Sequence, residues 1–286
     1  MKTYQTHSCL PLLDTTMTTT VPATSKYTSK LHNKRVLVLG GTSGIGFCVA
    51  EASIESGATV VVSSSRQPKI DTTIERIKSS YPDCGARISG HACDLANTET
   101  LEQNLEALLR FATSDGKDKL DHVVFTAGDS IAVKSLVDTT IDWIQKVGTV
   151  RFVAAILLGK LLVPRYMTSS AESSITLTGG VNSTKPGAGW GVLASWGAAI
   201  EGLMRGFAVD LKPIRVNCVA PGAVNTELVQ SFAGDRLDAV LKHFRDMTTT
   251  GTVGRPEDLA EAYLYCMKDQ FVTGSVLHSN GGHLLT

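Results

Sequence analysis

Apolar and polar positions follow two patterns along this chain from about residue 34 onward. Short apolar runs separated by polar segments predict strands at 35–39, 59–64, 86–92, 121–126, 173–178, 214–219 and 275–278. Between them, apolar residues recur three or four positions apart. This spacing predicts helices at 45–56, 70–80, 98–113, 140–167, 190–211, 227–247 and 256–268.

Alternating strands and helices predict one α/β domain, a doubly wound, seven-stranded parallel sheet of the Rossmann type with helices on both faces. Ligands bind such sheets beyond the carboxyl ends of the strands. We expect this domain to span residues 31–286. Residues 1–30 are different, because serine and threonine dominate, acidic groups are scarce and no periodicity is visible. We expect them to form a disordered tail.

The first predicted strand runs into a glycine-rich turn. Glycines allow the sharp bend and the close approach of a ligand, and the N–H groups that open the next helix attract a pyrophosphate. A strand before the turn, and a helix and a second strand after it, favour dinucleotide binding over a turn without a ligand. The predicted contacts are Gly40, Thr42, Ser43, Gly44, Ile45 and Gly46.

The end of the second predicted strand indicates which dinucleotide binds. An acidic residue there would hold the ribose hydroxyls of NAD and repel a 2′-phosphate. This chain has Ser65 followed by Arg66, and a guanidinium pairs bidentately with phosphate. We therefore predict NADP(H), unless Arg66 is only a solvated surface charge. Asp94, after the third strand, either contacts the adenine amino group or caps a helix that begins near Asn97.

Composition and charge argue against several kinds of partner. The chain has 27 basic and 27 acidic residues among 286, and without a basic stripe we expect no nucleic-acid partner. No apolar run reaches membrane-span length, so we expect no membrane partner and a cytoplasmic location. The six cysteines are scattered without a C-x-x-C pair, which favours reduced thiols over disulfides or a metal site.

Further motifs, together with the glycine turn, resemble those of the short-chain dehydrogenase/reductase family over about residues 33–286. They are Asp94-Leu95, Thr126-Ala127-Gly128, the run Arg215 to Gly222, and Thr273-Gly274-Ser275 with Gly281-Gly282. The resemblance implies that Ala127 and Gly128 belong to the cofactor site. It also implies that Pro221, Val224 and Thr226 flank the nicotinamide, and that the chain forms a homodimer or homotetramer through the 140–167 and 190–211 helices.

The residues that usually perform the family's reduction are replaced. The family uses a Ser, a Tyr and a Lys, of which the Tyr donates a proton to a carbonyl oxygen, and an Asn on an earlier helix. Alignment puts other residues at all four positions, in the order Gly180, Leu193, Gly197 and Arg151. Because no tyrosine lies between Tyr166 and Tyr263, no shift of register restores the motif.

These losses restrict the chemistry. Reducing a ketone creates an alkoxide and needs a positioned proton donor, whereas reducing an iminium neutralises a cation that is already present. A cyclisation needs little more than orientation and a dry, shaped cavity. We therefore predict an enzyme that reduces an iminium, directs a cyclisation, or does both. The alternatives are a carbonyl reductase with a displaced proton donor and a noncatalytic NADP-binding protein.

Two polar residues are candidate catalytic groups. Arg151 is predicted to project toward the cofactor, where it would bind a carbonyl or amide oxygen. Its alternative role is an ion pair with a carboxylate such as Asp129 or Asp142. Asp129, at a strand end, is a candidate acid or cation-stabilising carboxylate, or else a loop cap.

The segment that replaces the usual motif has the composition of a substrate pocket. Two indoles and several glycines favour a large aromatic substrate, although either tryptophan alternatively packs its helix against the body. The candidate substrate residues are Asn182, Lys185, Trp190 and Trp196.

Some motifs are more similar to a small fungal branch of the family that has lost the Tyr–Lys pair. This branch contains NADP(H)-dependent iminium reductases that guide a Diels–Alder reaction and Pictet–Spengler-type cyclases. The motifs are Val147 to Phe152, Gly189-Trp190, Glu201 to Asp210 and Glu261 to Gln270. The resemblance implies a prenylated, tryptophan-derived substrate of indole-alkaloid biosynthesis. The Diels–Alder members carry an aspartate before the tryptophan, but residues 185–189 contain no acid, so a cyclase or an otherwise repurposed reductase remains open.

Overall fold

Seven parallel strands form the centre of the molecule, in the order β3-β2-β1-β4-β5-β6-β7. The computed structural model describes residues 26–286. The strands are β1 (Arg35–Leu39), β2 (Thr59–Ser64), β3 (Ile88–Ala92), β4 (His122–Phe125), β5 (Ser174–Thr178), β6 (Arg215–Pro221) and β7 (Val276–Ser279). The predicted doubly wound sheet is confirmed, and its strand order reverses between β1 and β4, where such sheets bind ligands.

Helices cover both faces of the sheet. They are α1 (Gly44–Glu55), α2 (Gln67–Ser80), α3 (Leu101–Ala112), α4 (Ile141–Gly148), α5 (Ala154–Leu162), α6 (Gly191–Asp210), α7 (Glu227–Ala233), α8 (Leu237–Asp246) and α9 (Pro256–Lys268). One buried cluster joins the sheet to α3, α5 and α6 through residues such as Leu105, Leu158 and Met204. The other joins it to α1, α2 and α9 through Val49, Ile70 and Leu264.

The predicted helix at 140–167 is wrong in its extent. It consists of α4, a π-helical turn at Thr149–Val153, and α5. α5 ends at Leu162 because Val163 precedes a proline and takes an extended backbone, with φ −109° and ψ 133°. The π turn contains Arg151, and such turns often occur at functional sites.

Two other predicted helices also differ from the structure. The helix predicted at 227–247 is divided into α7 and α8 by Gly234, whose φ of +53° a helix interior does not accept. The helix predicted at 98–113 begins only at Leu101. Before it, the side chains of Asp94 and Asn97 accept the N–H groups of Ala96 and Glu99, which holds the chain in turns.

The predicted tail of residues 1–30 lies outside the described residues except for 26–30, which form turns. Leu31 is completely buried. Within residues 26–286, no helix is both long and apolar enough to cross a membrane. The five described cysteines are buried and form no disulfide; they are Cys48, Cys84, Cys93, Cys218 and Cys266.

His122 makes the stability of the fold depend on pH. It is only 1% exposed, and its Nδ1 lies 2.9 Å from Ser174 Oγ. Burial lowers the pKa of His122 from 6.5 to about 3. Between these two values the unfolded chain binds a proton that the folded chain does not bind, so the contribution of His122 to stability is lost as the pH falls.

We therefore expect His122→Gln to flatten the acid side of the stability curve. Between pH 6 and 4, the wild type should lose up to about 1.4 kcal/mol more per pH unit than the variant. Urea unfolding at several pH values measures this difference, and His278→Gln, at an exposed position of β7, is the matched control. Equal slopes for the wild type and His122→Gln would show that His122 is not the titrating group.

Candidate functional site

The glycine turn lies against the end of β4, at the reversal of the sheet. The N–H groups of Gly40 and Gly41 donate to Ser63 O on β2, at 2.9 and 3.2 Å. A Cβ on Gly40 would lie 2.6 Å from Ala127 N, and one on Gly46 would lie 2.3 Å from Gly40 O. Neither position has room for a side chain, so the glycines allow the turn to contact the next loop directly.

The same turn also contacts the loop after β6. Gly44 has φ +51°, and a Cβ there would lie 3.1 Å from Thr226 Cγ2. Thr226 caps α7, where its Oγ1 accepts from Val229 N at 3.5 Å, so its hydroxyl proton is free for another acceptor. The structure thus brings together the three predicted cofactor segments, 40–46, 126–128 and 221–226.

The start of α1 fits a pyrophosphate. Ser43 stands at the N-cap with an extended backbone, yet its side chain makes no capping hydrogen bond. The N–H groups of Gly44, Ile45 and Gly46 open the helix, where no preceding turn provides acceptors. Partly buried Thr42 and Ser43 flank these donors. Aligned N–H groups and the helix dipole together favour an anion at this position.

The end of β2 carries a free cation. Ser65 and Arg66 are both exposed, and Arg66 is the N-cap residue of α2. Among residues 26–286, Arg66 forms no ion pair. Asp94, at the end of β3, does not cap a helix near Asn97; its Oδ1 accepts from Ala96 N at 2.9 Å. These residues would hold the adenosine end of a dinucleotide.

The space between the glycine turn, the loop after β4 and the β6–α7 connection is called the cleft. Pro221 and Val224 belong to the β6–α7 side of it. Pro221 ends β6, and Val224 is buried and bridges to Gly254. Asn225 N donates to Gly254 O at 2.9 Å, which fixes the loop between β6 and α7. This loop is rigid enough to present its backbone to a ring placed against it.

Arg151 points from the π turn into the loop after β4. Its Nη2 donates to the backbone carbonyl of Asp129 at 2.6 Å. The guanidinium packs so closely on Gly128 that a Cβ there would lie 2.3 Å from Nη1. The alternative of an ion pair with Asp129 or Asp142 is not found, because no described carboxylate lies within 4.0 Å. Burial lowers the pKa of Arg151, and this hydrogen bond uses one of its five N–H groups.

Asp129 lies beside this cation with a shifted pKa. Burial raises the pKa of its carboxyl, and the charges of Arg151 and Lys146 oppose that rise. A partly buried carboxyl without a direct cation partner can either hold a proton or stabilise a positive ligand. Asp129 on the loop after β4 and Arg151 on the π turn thus place an acid next to a cation.

Asn182 and Trp190 are predicted substrate residues near the two ends of the segment between β5 and α6. Asn182 is half-buried in a short turn, Val181–Ser183, that directly follows the end of β5. Trp190 is half-buried at the N-cap of α6, and its indole edge lies against Gly187, where a Cβ would be 3.3 Å from Cδ1. Gly189 packs against Val133, so this loop contacts the loop after β4.

Trp196, the remaining tryptophan of this region, packs α6 against α4 and the π turn. Its Nε1 donates to Ile144 O at 3.0 Å, its ring lies 5.1 Å from that of Phe152, and it covers Gly148. These contacts join α6 to α4 and the π turn. The alternative that Trp196 packs its helix against the body therefore describes the structure.

Lys185 holds the end of the chain. Its Nζ donates to His283 O at 3.1 Å and to Thr286 O. Thr286 Oγ1 lies 2.9 Å from Met247 O, after α8. Lys185 thus links the 181–190 loop, through residues 283–286, to the segment that follows α8. Since its donors are used by backbone oxygens, we interpret Lys185 as a residue that positions the loop.

At two of the four positions that the family usually uses for catalysis, this chain has a glycine with few neighbours. A Cβ on Gly180 would have no heavy atom within 4 Å, and one on Gly197 would meet only Ser183, at 3.3 Å. Neither flanking tyrosine replaces the missing phenol. Tyr263 is 0% exposed and its hydroxyl lies 2.8 Å from Thr178 Oγ1. The Tyr166 hydroxyl donates to Glu106. The Tyr166 carbonyl accepts from Leu120 N, just before β4 and so at the amino ends of the strands.

The sequence prediction missed Ser183 and Glu201. Ser183 Oγ lies 2.6 Å from Glu201 Oε1 and 2.9 Å from Gly180 O. Glu201 lies four residues after Gly197 in α6, and this spacing places the two on one helix face. This spacing in the sequence indicates that Glu201 lies near the lysine position. Only the fold brings Ser183 to the same face of α6.

Comparison with known proteins gives the family. A model of SDR-like Rossmann domains matches residues 27–286, and the chain therefore belongs to the short-chain dehydrogenase/reductase family. The short-chain dehydrogenase/reductase malC of Malbranchea aurantiaca is 46% identical over 257 residues, which are 89% of this chain and 96% of malC. The solved structure of MalC Reductase/Diels-Alderase has a TM-score of 0.86, with 44% identity, and covers 91% of this chain and 100% of that chain.

Two further proteins widen the comparison. The short-chain dehydrogenase/reductase fsr5 of Gibberella fujikuroi is 44% identical over 264 residues, which are 91% of this chain and 98% of fsr5. A short chain dehydrogenase from Burkholderia cenocepacia, solved in complex with NADP, is 26% identical with a TM-score of 0.76, covering 89% of this chain and 99% of that chain. The predicted family and the resemblance to fungal members are confirmed, and the chain is an enzyme of this family.

We expect Lys185→Met to loosen both segments that Lys185 connects. Loss of its hydrogen bonds should speed amide hydrogen exchange about tenfold at Thr250, His283 and Leu285, since each tenfold step corresponds to about 1.4 kcal/mol. Exchange followed by mass spectrometry measures this change. Lys185→Arg should restore most of the protection, and Lys212→Met, at an exposed position, should not alter it. Unchanged exchange in Lys185→Met would show that the lysine does not hold the C-terminal turn.

Proposed function

We propose that this protein is an NADP(H)-dependent enzyme of fungal indole-alkaloid biosynthesis. It reduces an iminium, directs a stereoselective cyclisation of Pictet–Spengler or Diels–Alder type, or does both, on a prenylated tryptophan-derived intermediate. The similarity to malC, whose solved structure is described as a reductase/Diels-Alderase, supports this class of reaction. We further propose a cytoplasmic homodimer or homotetramer that pairs through α4, α5 and α6.

One observation carries the proposal: within residues 26–286, no tyrosine stands at a usual catalytic position, while the segments for the dinucleotide are brought together. Gly180, Leu193 and Gly197 occupy the usual catalytic positions, and Tyr166 and Tyr263 are 1% and 0% exposed. Reduction of a ketone would leave an alkoxide without its usual acid. An iminium needs no such acid, because hydride addition neutralises it.

The choice of NADP(H) rests on Arg66. Its exposed guanidinium has no ion-pair partner within residues 26–286, and it begins α2 directly after β2. A 2′-phosphate at the end of β2 would accept paired hydrogen bonds from this group, and Ser65 adds a hydroxyl. The remaining contacts in the proposal are those of the glycine turn, Asp94, Ala127, Gly128, Pro221, Val224 and Thr226.

The protein's own residues would act mainly by placement. NADPH, when bound, supplies a hydride. Arg151 donates N–H groups to a carbonyl or amide oxygen of the substrate, and the Asp129 carboxylate stabilises a cation next to it. Trp190 stacks on the indole. A substrate so oriented loses little further entropy when it reacts, which accounts for catalysis without a phenol.

A carbonyl reductase is the second candidate, and one observation favours it. Burial raises the pKa of Asp129, and a carboxyl that holds its proton more strongly could serve as a displaced proton donor. The third candidate, a protein that binds NADP(H) without catalysis, requires that none of these groups acts on a substrate.

The cofactor preference is tested with Arg66→Gln. We expect the Kd for NADPH to rise about 10- to 100-fold, as for loss of a charged hydrogen bond, and the Kd for NADH to stay constant. Titration calorimetry measures both constants. Lys69→Gln, on the first turn of the same helix, removes one positive charge without this contact and should change either Kd little. An Arg66→Gln variant that keeps its NADPH affinity would refute the assignment.

The reaction is tested by incubating the protein with NADPH and an indole diketopiperazine iminium. NADPH consumption with a reduced product supports the reductase, and cyclised product without consumption supports the cyclase. We expect Arg151→Ala and Asp129→Asn each to lower kcat/KM about 100-fold, a usual cost of losing one electrostatic contact in a transition state. If NADPH is not consumed and no product forms, the noncatalytic NADP-binding protein is supported. Faster turnover of the matching ketone would favour the carbonyl reductase.

Two glycine variants provide a check on Arg151. Gly128→Ala should displace the guanidinium, since the new Cβ would lie 2.3 Å from Nη1. Combined with Arg151→Ala, it should cause no further loss, because both changes remove the same contact. Gly202→Ala, which meets nothing within 4 Å on α6, is the matched control and should retain turnover.

A further inference from the structure

The hydroxyl of Ser183 lies among the positions that lost their catalytic side chains. Ser183 N donates to Gly180 O at 3.1 Å, and Ser183 Oγ lies 2.9 Å from the same oxygen. On α6, a Cβ on Gly197 would lie 3.3 Å from Ser183 Cβ. The side chain thus stands between the position of the family's serine and that of its lysine.

A carboxylate fixes the direction of this hydroxyl. Glu201 Oε1 lies 2.6 Å from Ser183 Oγ, and the Glu201 side chain is only 16% exposed. Its other oxygen, Oε2, lies 3.5 Å from Arg205 Nη2, which holds the carboxylate in place from the solvent side. Both neighbours of Ser183 Oγ, the carboxylate and the Gly180 carbonyl, are acceptors, so the single hydroxyl proton is donated inside the protein.

A hydroxyl in this state offers only lone pairs to a ligand. The carbonyl of Gly180 and the carboxylate of Glu201 are also acceptors, so Ser183, Gly180 and Glu201 together offer a ligand acceptors and no side-chain donor. The space is open, because a Cβ on Gly180 would meet nothing within 4 Å. Partly buried acceptors of this kind favour a ligand that brings its own N–H and disfavour a carbonyl oxygen.

We propose that Ser183 and Glu201 form an acceptor subsite for a secondary N–H group of the substrate, either an indole N–H or the N–H of an amide or iminium. The usual family site donates to a carbonyl oxygen, and this site has the reverse polarity. The inference rests on the proposed function and specifies the substrate of the same cleft. Ser183 contacts the substrate, and Glu201 is the positioning residue that orients the hydroxyl.

The test measures binding without turnover. The probes are the cyclic dipeptide of tryptophan and proline, its indole N-methyl analogue and its amide N-methyl analogue, titrated into the full chain saturated with NADPH. We expect the wild type to bind the parent about tenfold more tightly than one methylated analogue, as for loss of one hydrogen bond of about 1.4 kcal/mol. Ser183→Ala should bind that pair equally.

Two variants separate the hydrogen bond from general packing. In Glu201→Gln, the new amide can donate to Ser183 Oγ and release its proton, so the preference for the N–H probe should fall. Ser195→Ala on α6 is the matched control, since Ser195 Oγ likewise donates to a backbone carbonyl, Gly191 O at 2.8 Å, and its loss should leave the preference unchanged.

Each other outcome decides against the subsite. A preference that persists in Ser183→Ala refutes it, and so does a tenfold loss of NADPH affinity in that variant, which would assign the hydroxyl to the cofactor. Binding of all three probes to the wild type with equal affinity refutes the subsite alone. No binding of any probe refutes both the subsite and the proposed substrate class.

Discussion

The close approach of the glycine turn to the ends of β4 and β6 is the contact on which the site depends. Gly40 lies against Ala127, and Gly44 lies against Thr226, with no room for a side chain at Gly40 and little at Gly44. This approach places the unpaired N–H groups of α1 next to both loops. The other candidate site residues lie near the carboxyl ends of the strands, where these three segments meet.

The residues suited to cofactor binding and the lost catalytic residues lie on different elements of the fold. The groups suited to a dinucleotide lie on the β1–α1, β2–α2 and β6–α7 connections, which the packing of the sheet holds in place. The groups that usually deliver a proton lie after β5 and on α6, and here they are glycines and a leucine.

The polar groups described near the changed catalytic positions are one cation, Arg151, and the acceptors around Ser183 and Glu201. Arg151 reaches the β4 loop through a π turn and bonds to the Asp129 backbone, not to a carboxylate. Glu201 accepts a hydrogen bond from the Ser183 hydroxyl. In the proposed site, Arg151 provides the donor and Ser183 the acceptor, an arrangement suited to orienting a polar heterocycle more than to protonating an oxygen.

The sequence by itself determined the parallel sheet, the glycine turn, the family and the absence of its catalytic residues, because each depends on local periodicity or on residues close together in the chain. Tertiary structure decided what depends on distant contacts. It divided the 140–167 helix at a π turn, placed Trp196 against Phe152, turned Lys185 toward His283 and Thr286, and brought Ser183 to Glu201. A side chain's partner across the fold is set by packing, which no local pattern of residues encodes.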